Sequence, residues 1–299
     1  MTGRSILAVG LLLSACATST DRAIGPAIPG GPSAAVTSNL DLVGTPDLIV
    51  REDMLMSQYV IRDEKLAANF CSVIEGNVTP GVRRIIRFTV MTPNIGDADL
   101  YIGDPDQYFD EAGNSDLYEF HPCHGHYHFK HYATYELIDA KTGKIWKAAK
   151  RGFCMLDTDP NPAWYGEPAR EHNFRNCGLP GRPGNQGISH GWTDTYRFFL
   201  GGQYFVLDGG DGQPVVPPGE YLVRITVNPG FAPPKKGGCA RATEVTATGD
   251  VICHQFVESS YTNNVGVAKV SIPDHVGRDG VGPQAGTEPE KTEKDEHGN

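Results

Sequence analysis

"GEYLVRITVNP", Gly219 to Pro229, alternates β-branched and aromatic residues with polar ones. A period of two with that composition predicts a half-buried strand. "RRIIRFTVM" (83–91), "ATYELID" (133–139) and "TDTYRFFL" (193–200) read the same way. Turn formers separate them, among them "DAKTGK" (139–144), "DGGDGQP" (208–214) and "VPPG" (216–219). With 36 glycines and 22 prolines, long helices are disfavoured. The stretch from Met54 to Phe70 fits either a short helix or a further strand. The pattern predicts a mainly β, β-sandwich-like single domain with long ordered loops.

A chain of 299 residues with 39% hydrophobic content can bury a substantial core. Its formal charge of -10 argues against a nucleic-acid partner, which would need a basic face. The same charge is compatible with attracting cationic ligands such as amines. At the N-terminus, Arg4 precedes an apolar run from Ile6 to Leu13, and "LSAC" ends at Cys16. This resembles a bacterial lipoprotein signal in which Cys16 is lipidated, and the run is too short to span a bilayer. Residues 1–15 are expected to be the signal peptide, 16–44 a flexible tether, 45–273 the folded domain and 274–299 a disordered charged tail. The expected location is the cell envelope, as a lipoprotein touching the membrane only through its anchor, or outside the cell. Cys71, Cys123, Cys154, Cys177, Cys239 and Cys253 remain. An even set in an oxidising compartment predicts three disulfides stapling the loops, and composition leaves their pairing open.

"CHGHYHFKHY" (123–132) crowds four histidines into ten residues. On a strand His124, His126 and His128 share one face, while His121 and His131 have the opposite parity and should not join them. A flat strand would hold the outer two roughly 13 Å apart, too far for one ion. The segment must therefore twist or bulge, and Gly125 is placed to permit it. Three neutral imidazoles suit Cu(II) or Zn(II), and copper wins on intrinsic affinity. Structural zinc usually takes four protein ligands, so three favour a redox or catalytic ion over a structural one.

At these residues the chain resembles the lysyl oxidase family of copper- and quinone-dependent amine oxidases. The family's copper segment W-x-W-H-x-C-H-x-H-Y-H is similar to "YEFHPCHGHYH" (118–128), with Tyr118 and Phe120 in place of its tryptophans. "KRGFCMLD" (150–157) resembles its K-x-x-F-C-x-x-D, and "QGISHGWTDTY" (186–196) its Q-G-x-S-x-G-x-x-D-T-Y. "PDLIV" at Pro46 and "SSYTNNV" (259–265) resemble its first and late segments, so the likeness spans about residues 46 to 270.

The resemblance implies that His124, His126 and His128 bind Cu(II), and that Lys150 and Tyr196 form lysine tyrosylquinone with the help of O2. It implies oxidative deamination of a primary amine, either a small amine or peptidyl lysine, giving aldehyde, ammonia and hydrogen peroxide. Asp194 shares a strand face with Tyr196 and is a candidate base. The resemblance also implies the pairs Cys71–Cys123 and Cys154–Cys177. Cys239 and Cys253 are left to clip a local hairpin, worth roughly 3 kcal/mol in the chain-entropy model. Some members bind Ca(II) at positions matching Asp47, the Leu48 backbone, Glu258, Ser260, Asn263 and Asn264, all hard oxygen donors, with Ser260 replacing an aspartate and removing one charge. The competing expectation is a non-enzymatic copper- or zinc-binding envelope lipoprotein, which would have no use for the Lys150–Tyr196 pair.

Overall fold

The computed structural model describes residues 43–150, 152–162 and 171–288. The expected signal peptide, Cys16 and nearly all of the tether lie outside the described residues. The first half carries β1 (Tyr59–Leu66), β2 (Gly81–Phe88), β3 (Val90–Pro93), β4 (Leu100–Gly103), β5 (Tyr118–His121), β6 (His126–Phe129), β7 (Ala133–Asp139) and β8 (Ile145–Lys147). The second carries β9 (Asp159–Pro160), β10 (Gln186–Ile188), β11 (Trp192–Tyr196), β12 (Tyr204–Val206), β13 (Gly219–Val227), β14 (Ala242–Val245), β15 (Val251–His254) and β16 (Val265–Ile272). Two short helices, α1 (Glu52–Ser57) and α2 (Cys71–Glu75), precede β1 and β2. The ambiguous stretch from Met54 to Phe70 thus contains both a helix and a strand. The protein is mainly β, and no sheet closes into a barrel.

The largest sheet has the order β16-β13-β7-β8. Along β13 the alternation buries Tyr221, Val223, Ile225 and Val227. Val223 sits opposite Leu137 and Ile225 opposite Tyr135 of β7, so apolar side chains meet across the ladder. Burying each such side chain contributes about 1.5–3 kcal/mol. On the other face Arg224 donates to Glu136 at 2.8 Å. A second sheet, β1-β2-β12, faces the first through Phe88, whose ring stacks on Phe205 at 5.0 Å and meets Tyr135 edge-on at 5.5 Å. That packing is the sandwich-like core.

The expected start of the tail at 274 falls too early. Ile61 and Val281 exchange backbone hydrogen bonds of 2.9 and 2.8 Å, and Arg62 Nη1 donates to the Thr287 carbonyl at 2.7 Å. β1 is an edge strand, and residues 277–287 cover backbone groups that would otherwise lack partners. Among the described residues no helix is long and apolar enough to cross a membrane.

Three disulfides join Cys71 to Cys123, Cys154 to Cys177 and Cys239 to Cys253. The last clips the hairpin of β14 and β15, as expected.

Candidate metal centre

The histidine comb is not one strand. β5 and β6 pair antiparallel with His121 opposite His126, and the chain reverses through Pro122–Gly125. Gly125 has φ of 73° and its amide closes the turn onto the His121 carbonyl at 2.8 Å. Only Gly adopts that backbone without a steric penalty. A turn, rather than a twisted or bulged strand, therefore gathers the imidazoles, and it overturns the parity argument against His121. The His121 and His128 rings lie 4.2 Å apart, and His126 Nε2 is 3.1 Å from His128 Nε2. His131 stands outside this cluster.

A carboxylate not foreseen from sequence completes it. The Cys71–Cys123 bond staples α2 to the residue before His124, and Glu75 ends α2 one turn after Cys71. Glu75 Oε2 lies 2.8 Å from His124 Nδ1 and 3.1 Å from His121 Nδ1. One donor atom each from Glu75, His121, His124 and His128 falls within 4.8 Å of the others. Glu75 Oε1 and His124 Nδ1, both buried, make no aligned hydrogen bond. Buried atoms of convergent donors left without an aligned hydrogen bond fit a divalent cation.

The electrostatics differ from one member of the cluster to the next. Burial, with the Lys150 charge nearby, pushes the His128 pKa far down and keeps its imidazole neutral. Burial also opposes charge on His121, but Glu119 and Glu75 outweigh it and hold its pKa up to about 9. Burial works against the Glu75 carboxylate too, and His121 and His124 overcome it, bringing it down to about 2.

Lys150 arrives through a strand-like contact. Phe129 and Phe153 form an antiparallel bridge, with Phe129 N donating to the Phe153 carbonyl at 2.6 Å. This lays the lysine-bearing segment beside His128. Gly152 packs against the His128 ring so closely that a Cβ there would sit 2.5 Å from His128 Cβ. Lys150, His124, His128, Glu75, Ser72, Gly201 and Gly202 line one small cavity.

Tyr196 closes β11, which pairs with β3. Its ring is buried, meets Phe153 edge-on at 5.2 Å, and its hydroxyl donates to the Cys154 carbonyl at 2.9 Å. Lys150 Nζ lies 4.9 Å from the centre of that ring. Residues 46 positions apart in sequence are thus neighbours, and Lys150 lines the cavity shared with His124 and His128.

The other motif residues bind the pieces together. Gln186 is fully buried, donates to the carbonyls of Tyr127 and Cys177, and accepts from the Met155 amide. It ties the histidine hairpin to the lysine segment and the disulfide loop. Asp157 accepts from the amides of Ser189, Asn173 and Phe174 and from the Ser189 hydroxyl. Asp194 is buried and shares a face of β11 with Tyr196, and its charge helps to raise the pKa of the buried Tyr132 hydroxyl.

Of the positions considered for Ca(II), Glu258 accepts from the Leu48 amide at 3.2 Å and from Asn264, and Asn263 donates to Asp47 at 3.0 Å. The Asn263 and Asn264 side-chain oxygens are buried without a hydrogen-bond partner, which suits a hard cation. Ser260 instead engages the Thr262 hydroxyl at 3.0 Å.

These features define a mainly β protein with a histidine–carboxylate cluster that could hold a metal ion, beside a neighbouring lysine and tyrosine. The profile of the lysyl oxidase family matches residues 36–236, and the chain belongs to that family. It is 28% identical over 196 residues to lysyl oxidase homolog 2 of Pongo abelii, covering 62% of this chain and 22% of that protein. With lysyl oxidase homolog 2A of Danio rerio it shares 28% over 247 residues, 79% of this chain and 26% of the relative. The chain therefore spans about a quarter of the length of these relatives.

Proposed function

We propose that this chain is a copper-dependent amine oxidase. It converts primary amines, either small amines or lysine side chains of proteins, to aldehydes with release of ammonia and hydrogen peroxide. The observation that carries this reading is the placement of Lys150, whose nitrogen lies 4.9 Å from the Tyr196 ring centre and which lines the same cavity as His124 and His128. His124, His126 and His128 would hold the copper, which when bound supplies one-electron exchange with O2. Lys150 and Tyr196 would be joined as lysine tyrosylquinone, with O2 as oxidant.

The chain's own residues prepare for this. Burial keeps His128 uncharged, so its lone pair is available to a metal. The hydrogen bond to the Cys154 carbonyl and the edge of Phe153 fix the Tyr196 ring, while the bridge between Phe153 and Phe129 fixes the lysine segment. Asp194, on the Tyr196 face of β11, is the group we assign to take a proton from the substrate carbon. The formal charge of -10 favours the approach of ammonium-bearing substrates. Three disulfides agree with an exported protein anchored through Cys16. Ca(II) would sit among Asp47, Glu258, Asn263 and Asn264, with Ser260 outside the set.

The test is peroxide release from a simple amine by the copper-loaded, aerated chain. Lys150→Ala and Tyr196→Phe are each expected to abolish it while copper stays bound. Unchanged release in either variant sinks the cofactor assignment. Copper binding without any release in wild type favours the envelope metal-binding alternative.

A further inference from the structure

One carboxylate in the cradle belongs to none of the sequence motifs. Glu75 stands on α2, whose first residue, Cys71, is bonded to Cys123. The disulfide thus delivers a carboxylate and an imidazole to the same point from two parts of the chain. Glu75 Oε2 sits against His124 Nδ1 at 2.8 Å and His121 Nδ1 at 3.1 Å, while Oε1 is buried with no hydrogen-bond partner. The side chain is only 14% exposed and lines the cavity shared by His124, His128 and Lys150. A carboxylate desolvated to that degree needs compensation from charge or hydrogen bonds.

We propose that Glu75 is itself a ligand of the metal, adding one anionic oxygen to the imidazole set. This rests on the reading of the histidine hairpin as the metal site. An oxygen ligand changes the chemistry of that site. Three neutral imidazoles leave both charges of a divalent ion uncompensated, whereas one carboxylate halves the excess. Hard oxygen donors also favour Cu(II) over the softer Cu(I). Glu75 closes the side of the cradle next to α2, so that exchangeable ligands enter from the side of Lys150, Gly201 and Gly202.

The experiment uses the full chain stripped of metal by a chelator. Copper(II) is titrated in competition with a chromophoric chelator, and paramagnetic resonance spectra are recorded for wild type, Glu75→Gln and His128→Ala. Glu75→Gln is expected to lower copper affinity by about 100-fold or more, beyond the 10–100-fold typical of partners that only orient a ligand. Its spectrum is expected to shift, because a neutral water replaces a carboxylate oxygen. Equal affinity, or reduced affinity with an unchanged spectrum, overturns the proposal and leaves Glu75 an orienting residue. Loss of copper from His128→Ala beside an unaffected Glu75→Gln would preserve the hairpin site and reject Glu75 alone. Wild type that takes up no copper would reject both. Should Glu75→Gln fail to fold, a copper-soaked crystal of wild type decides. A Glu75 oxygen about 2.0–2.2 Å from the ion supports the proposal, and one outside coordination distance refutes it.

Discussion

Gly152→Ala probes how tightly the lysine segment locks the histidine hairpin. The added methyl would lie 2.5, 2.6 and 2.7 Å from Cβ, Nδ1 and Cγ of His128. Ordinary van der Waals contact begins at 3.4 Å, so the ring and the backbone of residue 152 must separate by about 0.9 Å. Neither has slack, since Phe153 is bridged to Phe129 and His128 is buried. Overpacking of this kind costs about 1–3 kcal/mol. Metal–imidazole geometry tolerates only about 0.2 Å, so copper affinity should fall as well, by about 10-fold or more. Chemical denaturation of the metal-free chain reads the first effect, and competition titration with copper the second. Gly238→Ala is the control, because its methyl meets nothing within 4 Å and no positive φ is required there. Gly152→Ala matching the control in both assays would refute the idea that this contact positions His128.

Further outcomes are expected elsewhere. Gln186→Leu leaves two carbonyls and one amide unpaired in the core, and should destabilise the chain by at least about 3 kcal/mol in denaturant titration. Asp157→Asn retains one acceptor oxygen for four donors and should cost about 2–4 kcal/mol by the same assay. Burial, with Asp47 nearby, pushes Glu258 from 4.5 up to about 8, so the folded chain holds this proton more tightly than the unfolded one. Its contribution to stability is full below pH 4.5 and is lost as pH rises through 8, by up to about 1.4 kcal/mol per unit between them. Without calcium, Glu258→Gln should flatten that decline in denaturation midpoints, and an unchanged slope would contradict the assignment.

Strand positions with strict alternation were readable from sequence because a two-residue period commits one face to the core, as in β13 and β7. The resemblance supplied two disulfide pairs and left Cys239 and Cys253 to form the third. What escaped depends on contacts between distant segments. Treating "HPCHGHYH" as one strand hid the turn at Gly125 and excluded His121, which lies on the partner strand and faces the same site. Glu75 carries no motif, yet the implied Cys71–Cys123 bond and one helical turn would have placed it beside His124. The tail from 277 to 287 looked solvated because backbone pairing with an edge strand leaves no side-chain pattern.

Amine oxidation by this chain requires that Lys150 and Tyr196 become one group. Peptide mapping by mass spectrometry of the full chain, purified after copper loading in air, measures this directly. A single linked species containing Lys150 and Tyr196 is expected, absent from Lys150→Ala and from chain kept without copper. Two separate, unmodified peptides from a copper-loaded chain that still oxidises amines would contradict it.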